Sequence, residues 1–325
     1  MISFALRRLL QSVVVLFIMS ALVFTGVYAI GNPIDILINP QADQAEIAAA
    51  TKALGLDQPL WRQYSNFIVG AFAGDLGKSF SANIPAVQLI FERMPATLEL
   101  ALVAMVMAVV LGIPLGLVAG LKPDTWVGKT IMAGSILGFS LPTFWVGLML
   151  IMVFSVWLGW LPPTGRGETV MMLGVPVSFL TWDGLAHLLM PALNLALFKL
   201  SLLIRLTRAG TREALSQDYV RFARAKGLSM ERVVRIHVLK NIMIPIVTVT
   251  GLEFGSLIAF AIVTETIFAW PGMGKLLIDS INVLDRPVIV AYLLIIVLLF
   301  VLINFVVDLL YTALDPRVRL AGRST

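Results

Sequence analysis

The sequence predicts an all-α protein that crosses a membrane six times, and three observations lead to this fold class. The 325-residue chain contains 59% hydrophobic and 13% charged residues, against about 45–50% apolar and about 25% charged residues in soluble domains. Apolar runs close to or above the ~20 residues that cross a bilayer recur along the chain. Lys and Arg concentrate in alternate connections between these runs, which is typical of polytopic membrane proteins.

Six apolar runs define the predicted spans. They lie at about residues 9–30, 97–121, 131–157, 186–204, 242–267 and 288–313. The fourth run has the weakest hydropathy signal because Pro191, Asn194 and Lys199 interrupt it. The first run follows Arg7 and Arg8, as in a signal peptide, but it is too long for a typical signal-peptide core and a poor cleavage site follows it. We therefore expect this run to be a retained transmembrane helix.

The orientation in the membrane follows from the positions of the basic residues. Of the 24 Lys and Arg residues, 17 fall in segments that share a side with the N-terminus, and seven fall on the opposite side. Because short basic segments stay in the cytoplasm, both termini are expected to be cytoplasmic. The net charge of +5 reflects this bias, and no soluble basic surface indicates nucleic-acid binding.

Residues 31–94 form the one sizeable segment expected outside the membrane on the side opposite the termini. The segment contains an amphipathic stretch at 45–56, a turn at Asp57-Gln58-Pro59 and an aromatic-rich helix candidate at 61–72. A segment of this size buries little apolar surface on its own, and the chain has no cysteine with which to cross-link it. We expect it to cap the membrane helices rather than to fold independently.

Glycines at a four-residue spacing predict close helix packing. Gly112, Gly116 and Gly120 follow this spacing in the second span, and glycine pairs follow it in the third and fifth spans. The pairs are Gly134 with Gly138 and Gly251 with Gly255. This spacing places small residues on one helix face, so that two backbones can approach closely. The partner helix belongs either to the same chain or to a second membrane subunit.

Prolines interrupt the second, third and fifth predicted spans as well as the fourth. Pro114, Pro142 and Pro245 each remove one helical hydrogen bond, so we expect a kink at each position. Broken helices at bilayer depth are usually sheltered by protein or line a cavity. Pro142 is therefore a candidate for the substrate path.

The sequence contains no complete enzyme motif. Gly77-Lys78-Ser79 and Gly128-Lys129-Thr130 look like the end of a phosphate-binding loop. Phe72 and Pro123, however, stand where such a loop needs its first glycine. Two histidines on predicted opposite sides of the membrane, without cysteine, do not indicate a metal site. If transport is coupled to nucleotide hydrolysis, another chain must supply the ATPase.

Glu253 is the main candidate for function inside the spans, and Asn194 is a second polar candidate for the substrate path. A carboxylate at bilayer depth costs a few kcal/mol unless it faces a cavity or a partner. No intramembrane Lys or Arg stands out in the sequence as a partner for Glu253. This residue is therefore either part of a transport path or a glutamate that is protonated or hydrogen-bonded between helices.

Residues 217–245, between the fourth and fifth spans, are basic and helix-forming. Asp218 is placed to cap a helix over 219–226, and Gly227 is placed to end it in a left-handed conformation. Ser229 is placed to cap a second helix. Because a two-turn helix is marginal in water, the first helix needs something to pack against.

The predicted short helix has two faces. Tyr219, Phe222 and Ala223 lie along one face, while Arg221 and Arg224 lie on another. A small apolar face with a basic flank suits a groove on a protein partner, but it also suits the headgroup interface of an anionic membrane. The spacing alone favours neither surface.

Several ordered motifs resemble one family. QDYVRFARAKGL followed by HVLKNIMIP looks like the cytoplasmic coupling loop of bacterial ABC-transporter permeases, specifically the B-type subunit of the dipeptide, oligopeptide, nickel and glutathione importer group. The likeness covers nearly the whole chain. The other matching motifs are LGLDQPLWRQY, GDLGKSF, RMPATLELAL, LPTFWVGLMLI, LGWLPPTGR, TETIFAWPGMGKLLIDSI and DLLYTALDPRVR.

Two positions depart from the common patterns. The Glu-Ala-Ala of the general permease signature is Arg221-Phe222-Ala223 here, as is usual in the peptide-type branch. The Pro-Gly-Asp-Pro that commonly follows the first span is Ile30-Gly31-Asn32-Pro33, which removes a charge.

The resemblance implies a type I ABC importer permease fold and a bacterial inner-membrane location. The implied divisions are an N-terminal transmembrane helix at 1–30, a periplasmic segment at 31–94, an ABC transmembrane type-1 domain at 95–313 with a cytoplasmic coupling loop at 205–241, and a cytoplasmic tail at 314–325. Besides membrane lipid, the implied partners are a C-type permease, two cytoplasmic subunits that bind ATP and Mg²⁺, and a periplasmic solute-binding protein. No cofactor is expected on this chain.

The resemblance also implies which residues contact an ATPase. They are Asp218, Tyr219, Arg221, Phe222, Ala223, Arg224, Lys226 and Gly227. The implied cargo is a dipeptide, an oligopeptide or a related small solute, such as glutathione, chelated nickel or an opine-like conjugate. A secondary transporter is the alternative, but it would need its own ion-coupling site and inverted repeats, which the sequence does not display. An intramembrane enzyme would need more than Glu253.

Overall fold

The computed structural model describes residues 2–29, Ile34, 43–53 and 55–314, apart from the side chains of 2–9, 12, 28–29, 50 and 308–314. The predicted departure at Gly31-Asn32-Pro33, the side chains of Arg7 and Arg8, and nearly all of the predicted tail at 314–325 lie outside these residues.

Three helices precede the main body. Helix α1 spans Ile2–Ala29, α2 spans Gln44–Ala53 and α3 spans Leu60–Phe72. Helices α2 and α3 lie within a few residues of the two helices predicted at 45–56 and 61–72. Phe24 of α1 contacts Tyr64 and Phe67 of α3, with ring centroids 5.3 and 5.5 Å apart. The segment after the first span is therefore folded back onto α1, as expected of a cap.

Four long helices are apolar enough to cross a membrane. They are α4 (Ala86–Leu121), α7 (Trp182–Ser216), the continuous helix Met230–Ile267 and α12 (Arg286–Leu314). The third of these consists of α9 (Met230–Val233), a π-helical turn (Val234–Val238) and α10 (Leu239–Ile267). Between these spans lie the short helices α8 (Asp218–Ala225) and α11 (Met273–Asn282).

The third predicted span is a broken helix. Helix α5 (Trp126–Ser140) and helix α6 (Thr143–Leu150) are separated at Leu141 and Pro142, and a π-helical turn (Ile151–Trp157) continues α6. The two limbs meet at an angle of 107°. Pro142 precedes the first residue of α6, where its missing N–H costs nothing. The expectation of a kink at Pro142 is confirmed.

The other two prolines have milder effects on secondary structure. Pro114 lies within α4 and Pro245 within α10, and both helices continue through them. Pro95 also lies inside α4. The predicted boundary between residues 94 and 95 therefore falls in the middle of a continuous helix.

The predicted count of six spans is consistent with these helices. If the bent pair counts as one span, the described residues contain up to five spans that are long and apolar enough to cross a membrane. Val13–Val27 of α1 forms a shorter apolar helix at the position of the first predicted span. This stretch is shorter than the ~20 residues that cross a bilayer.

A small β-hairpin interrupts the all-α pattern. Strand β1 (Val170–Met172) pairs antiparallel with β2 (Val175–Val177). Leu173 and Gly174 form the two-residue turn with φ of 52° and 82°, the left-handed pair that hairpin twist favours. These two strands are an addition to the predicted all-α fold class.

Helices α4 and α7 form the most extensive helix pair of the structure. A Cβ atom on Gly116 would lie 2.6 Å from Thr207 Cβ and 2.7 Å from the Ile204 carbonyl oxygen. Gly112 meets α7 near Leu203, and Gly120 meets it near Thr211. The partner helix of this glycine series is therefore in the same chain.

The remaining glycines divide between two environments. Gly138 approaches α7, and Gly251 and Gly255 approach α12. A Cβ atom on Gly134, by contrast, would have no atom of the described chain within 4 Å. The small size of Gly134 has no explanation inside this chain.

Gly116→Ala should destabilise the chain. The added methyl would overlap α7 backbone and a β-branched side chain, so we expect the free energy of unfolding to fall by about 1–3 kcal/mol. Gly134→Ala is the matched control, because open space and the better helix propensity of alanine predict no loss. Thermal unfolding of both variants in detergent tests this. Equal midpoints would contradict the close contact of α4 with α7.

Candidate functional site

The short helix α8 lies between the two long helices α7 and α9–α10. It begins at Asp218, so Asp218 is its first residue rather than its cap, and Gln217 precedes it without a side-chain capping bond. Gly227 follows with φ of 80°, in the left-handed region that glycine adopts without strain. Ser229 precedes α9, also without a side-chain capping bond. The predicted helix and its glycine stop are present, but neither predicted cap is used.

The predicted apolar face of α8 is divided between the core of the chain and its surface. Val220 is 1% exposed and Ala223 is 6% exposed, and both belong to the apolar core of the chain. Phe222 is 67% exposed, and Tyr219, whose ring lies 6.3 Å from that of His237, is 38% exposed. Tyr219, Phe222 and Ala223 therefore do not form a single docking face. Val220, which was not among the predicted residues, anchors the helix instead.

The outer surface of α8 is basic and carries one large aromatic ring. Arg221, Arg224 and Lys226 are exposed beside Phe222. Arg221 reaches Asp218 at 3.5 Å, a weak exposed pair. A helix anchored on one side that presents an exposed phenylalanine among cations on the other can insert that ring into a partner's groove.

A buried ion pair joins α7 to α10. The Lys199 ammonium donates to the Glu253 carboxylate and, at 2.7 Å, to Ser256 Oγ. The Lys199 side chain is 10% exposed and that of Glu253 is 31% exposed. Glu253 therefore has a basic partner, although none stood out in the sequence. Lys199 lies 54 residues earlier, in the span whose hydropathy it weakens.

Two further contacts join the same helices. Asn194 Nδ2 donates to Thr264 Oγ1 at 3.0 Å. Towards the other end, a Cβ on Gly210 would lie 3.1 Å from Ile242. We call the three contacts, at Asn194, Lys199 and Gly210 with their partners, the α7–α10 seam. The helices that the seam joins flank α8 on both sides in sequence.

The three predicted substrate-path residues occupy different places. Asn194 and Glu253 both lie in the seam, at separate levels. A Cβ on Gly147 of α6 would lie 3.4 Å from Asn194 Nδ2, which brings the broken span against the seam. Asn194 Oδ1 is buried without a hydrogen-bond partner among the described residues. Pro142 lies five residues before Gly147, at the start of α6.

Three buried carboxylates cross-link the end of the molecule opposite α8. Glu99 of α4 pairs with Arg166 at 2.6 Å and accepts hydrogen bonds from the backbone N–H groups of Ser178 and Phe179. Arg166 also donates to the Pro176 carbonyl oxygen, at the hairpin. The loop from 166 to 179 is thereby fastened to a membrane helix.

The other two carboxylates also connect separate segments of the chain. Glu265 accepts from Thr97 Oγ1 at 2.6 Å and from the Lys275 N–H at 3.0 Å, which fixes α11 against α4. Asp285 accepts from the hydroxyl groups of Ser79 and Ser81 at 2.5 and 2.9 Å. None of these pairings was predicted from the sequence. The available signal in the sequence was the presence of acidic residues near apolar spans. The partners of these residues, however, lie far away in the sequence.

No group of three His, Cys, Asp or Glu side chains that could hold a metal ion occurs in the part of the chain that the structure describes. Apart from Asn194 Oδ1, the polar side-chain groups that define the seam are paired with one another. Their arrangement connects helices and provides no catalytic pair of groups around a reacting centre.

The long apolar helices, the broken span and the short helix α8 define a class, the polytopic membrane proteins. In fold, the chain is similar to the methionine ABC transporter MetNI in inward-facing conformations, with a TM-score of 0.54 at 16% identity, covering 70% of this chain and 97% of that chain. Residues 112–320 match the family described as "Binding-protein-dependent transport system inner membrane component". Residues 1–101 match the N-terminal part of the same kind of membrane component.

The chain belongs to this family of inner-membrane components of binding-protein-dependent transport systems. It is therefore a multi-pass inner-membrane permease subunit of an ABC importer, and its role is transport rather than catalysis. Membership in the family implies an ATPase and a solute-binding protein as partners. The recognition of an ABC importer permease from the sequence motifs is confirmed.

Curated relatives match nearly the whole chain. The chain is 41% identical over 320 residues to the glutathione transport system permease protein GsiC of Escherichia coli, covering 98% of this chain and 99% of the relative. It is 40% identical to the di/tripeptide transport system permease protein DppB of Pseudomonas aeruginosa, with the same coverage. It is 37% identical to the dipeptide permease DppB of Alkalihalophilus pseudofirmus, covering 98% of this chain and 100% of the relative.

Separating the Lys199–Glu253 pair should destabilise the chain asymmetrically. Glu253→Met leaves the more deeply buried Lys199 cation without its partner, whereas Lys199→Met leaves a carboxylate with more access to solvent. We expect losses of about 2–3 kcal/mol for Glu253→Met and less for Lys199→Met, both below the ~3–5 kcal/mol of fully buried pairs. The double variant should lose less than the sum of the two.

Denaturant unfolding in detergent measures these losses. Lys275→Met is the matched control, because Lys275 and Asp279 form an exposed pair with four-residue spacing, for which at most ~1 kcal/mol is expected. Additive losses in the double variant would show that Lys199 and Glu253 do not interact.

Proposed function

We propose that this permease imports short peptides, of the size class from dipeptides to glutathione, in an ATP-driven transporter. The observation that carries the proposal is the identity of 40–41% over 98% of the chain to permeases named for di/tripeptide and glutathione transport. Residues of both the seam and the coupling loop lie within this matched length. Chelated nickel and opine-like conjugates are the other cargoes carried by the permease group that this sequence resembles.

In the proposed assembly, this chain pairs with a related C-type permease. Two cytoplasmic ATPase subunits bind ATP and Mg²⁺, and a periplasmic solute-binding protein delivers the cargo. Both termini and α8 face the cytoplasm, which agrees with the 17 basic residues assigned to that side. The hairpin β1–β2 and helices α2 and α3 then face the periplasm.

Helix α8 is the proposed contact with an ATPase. Phe222 enters a groove of that subunit, and the flanking Arg221, Arg224 and Lys226 steer the docking through complementary charge. Val220 and Ala223 fasten α8 to this chain, and Gly227 allows the sharp reversal into α9. Asp218 and Tyr219 begin the helix and complete the predicted contact set.

The proposed power stroke moves α8 and, through the seam, α7 and α10. ATP binding draws the two ATPase subunits together, and each carries its docked helix with it. Because the seam joins α7 to α10 at three levels, the two helices tilt as one body. Nucleotide drives this change because the closed ATPase pair binds one arrangement of α8 better than the other.

Glu253, Asn194 and Pro142 are proposed to lie along the substrate path. Glu253 is partly accessible beside Lys199, and Asn194 has an unsatisfied buried oxygen. Pro142 starts α6, whose Gly147 lies against Asn194. Polar groups at bilayer depth offer hydrogen-bond partners to a hydrated peptide that crosses the membrane.

Uptake by the complete transporter tests the cargo. The chain and its partner subunits are expressed in cells that lack other peptide importers, and radiolabelled dipeptide and glutathione are supplied. We expect ATP-dependent accumulation of peptide that an excess of unlabelled short peptide suppresses. Accumulation of a nickel chelate with no peptide uptake would overturn the proposed cargo and leave the family assignment untouched.

Phe222→Ala should uncouple the transporter without unfolding it. The ring is mostly exposed in this chain, so its removal costs little stability, but it should remove about 2 kcal/mol or more of ATPase binding, as for other interface anchors. Co-purification of the ATPase and peptide uptake should both fall. Phe72→Ala, an exposed phenylalanine on α3, is the control and should leave ATPase binding intact. Equal ATPase binding in both variants would contradict the contact.

A further inference from the structure

An apolar cleft of about 500 Å³ lies between α1, α3, α4 and α12, away from both the seam and α8. Phe17 of α1, Phe72 of α3, Phe91 of α4 and Leu298 of α12 contribute to its four walls. The volume is within the ~300–1,000 Å³ that ligand pockets commonly have. The cleft opens on the surface of the helix bundle, where α1 and α12 carry many exposed apolar side chains.

The cleft offers water almost no hydrogen-bond partners. Among the described residues that line it, Ser20 has the only polar side chain. Its hydroxyl is hydrogen-bonded to the Phe17 carbonyl oxygen at 2.8 Å and to Tyr64 Oη at 2.9 Å. A dry apolar cleft at the surface of a membrane helix bundle is filled by hydrocarbon.

Because of the position of α1, a hydrocarbon chain in the cleft would have a structural role. Helix α1 packs mainly on α12 and touches α3, and the cleft separates it from α4. An acyl chain in the cleft would complete the packing between α1 and α4. A lipid there acts as part of the interface that holds the first helix on the bundle.

A second pocket of about 210 Å³, which includes charged side chains, adjoins the cleft and shares Phe67 and Leu76 with it. Asp75 lines this pocket, and its Oδ1 accepts the Gly77 N–H at 2.9 Å. Its Oδ2 accepts no hydrogen bond from the residues described. Arg286 lines the opposite wall, where it is 7% exposed and engaged within the chain. The accessible charge of the pocket is therefore the Asp75 carboxylate.

We propose that the cleft and the pocket together bind one phospholipid with a primary-ammonium headgroup, of the phosphatidylethanolamine type. One acyl chain fills the apolar cleft, and the ammonium donates to Asp75 Oδ2. The continuity of an apolar cleft with a pocket that bears a carboxylate matches an amphiphile with a cationic end. An anionic headgroup, such as phosphatidylglycerol, would meet the Asp75 charge and bind less well.

Photo-crosslinking locates the lipid. The complete transporter is placed in nanodiscs that contain phosphatidylethanolamine with a photoactivatable acyl chain, and the labelled peptides are identified by mass spectrometry. We expect labels on α1, α3, α4 and α12 at the cleft. Labels confined to other surfaces, or a protein partner's helix crosslinked in the cleft in place of lipid, would overturn the proposal.

Three variants test the chemistry by native mass spectrometry of retained lipid. Ala71→Phe fills the cleft and should remove most of the retained lipid, whereas Val69→Phe, on the same helix but outside the cleft, should retain it. Asp75→Asn keeps an acceptor for Gly77 and removes the charge. It should reduce the preference for phosphatidylethanolamine over phosphatidylglycerol by roughly two- to five-fold, as for one partly exposed charge pair.

The variants also separate a bound lipid from general solvation by the bilayer. Equal retention in Ala71→Phe and Val69→Phe would show that the cleft holds no specific lipid. An unchanged headgroup preference in Asp75→Asn would show that Asp75 does not bind the ammonium. Either result would overturn the proposed site, independently of the transported cargo.

Discussion

The close approach of α4 to α7 is the contact on which the other helices depend. A methyl group at Gly116 would overlap the Ile204 carbonyl oxygen and Thr207, so the observed separation requires glycine. In a bilayer, helices gain little from burying apolar surface against one another, and packing at short distance takes the place of the hydrophobic effect. Helix α7, the most buried of the four long spans, also contacts α5, α6 and α10. Moving α7 outward would therefore break the contacts with α10 that form the seam.

The two ends of the bundle are held by different kinds of interaction. Opposite α8, Glu99 and Asp285 accept hydrogen bonds from turns that are distant in sequence, which fixes those turns on the helix ends, and Glu265 accepts from α4 and α11. A buried carboxylate is costly to leave unpaired, so these turns resist separation. At the α8 end, Val220 and Ala223 provide a small apolar anchor. Apolar contacts are non-directional and can slide, whereas the bound carboxylates keep their geometry.

The sequence predicted what depends on local chemistry and on repeated spacing. The apolar spans, the break at Pro142, the glycine contacts and the left-handed Gly227 all follow from properties of residues close together in the chain. The pairing of Lys199 with Glu253 was missed because a hydropathy window scores Lys199 only as an interruption of its span. The spacing placed Tyr219, Phe222 and Ala223 on one apolar face, whereas this chain buries Ala223 together with Val220 and leaves the ring of Phe222 outside.

The two faces of α8 have a mechanical consequence. A helix that only touched its own chain could not report the state of an ATPase, and a helix that only touched an ATPase could not move the spans. Val220 and Ala223 hold α8 on its own chain, while Phe222 and the neighbouring cations are exposed to a partner. In the proposed mechanism, force that enters at Phe222 passes through the small buried residues to the ends of α7 and α9. The seam then distributes it along α7 and α10, because an ion pair, an amide hydrogen bond and a close glycine contact prevent either helix from moving alone.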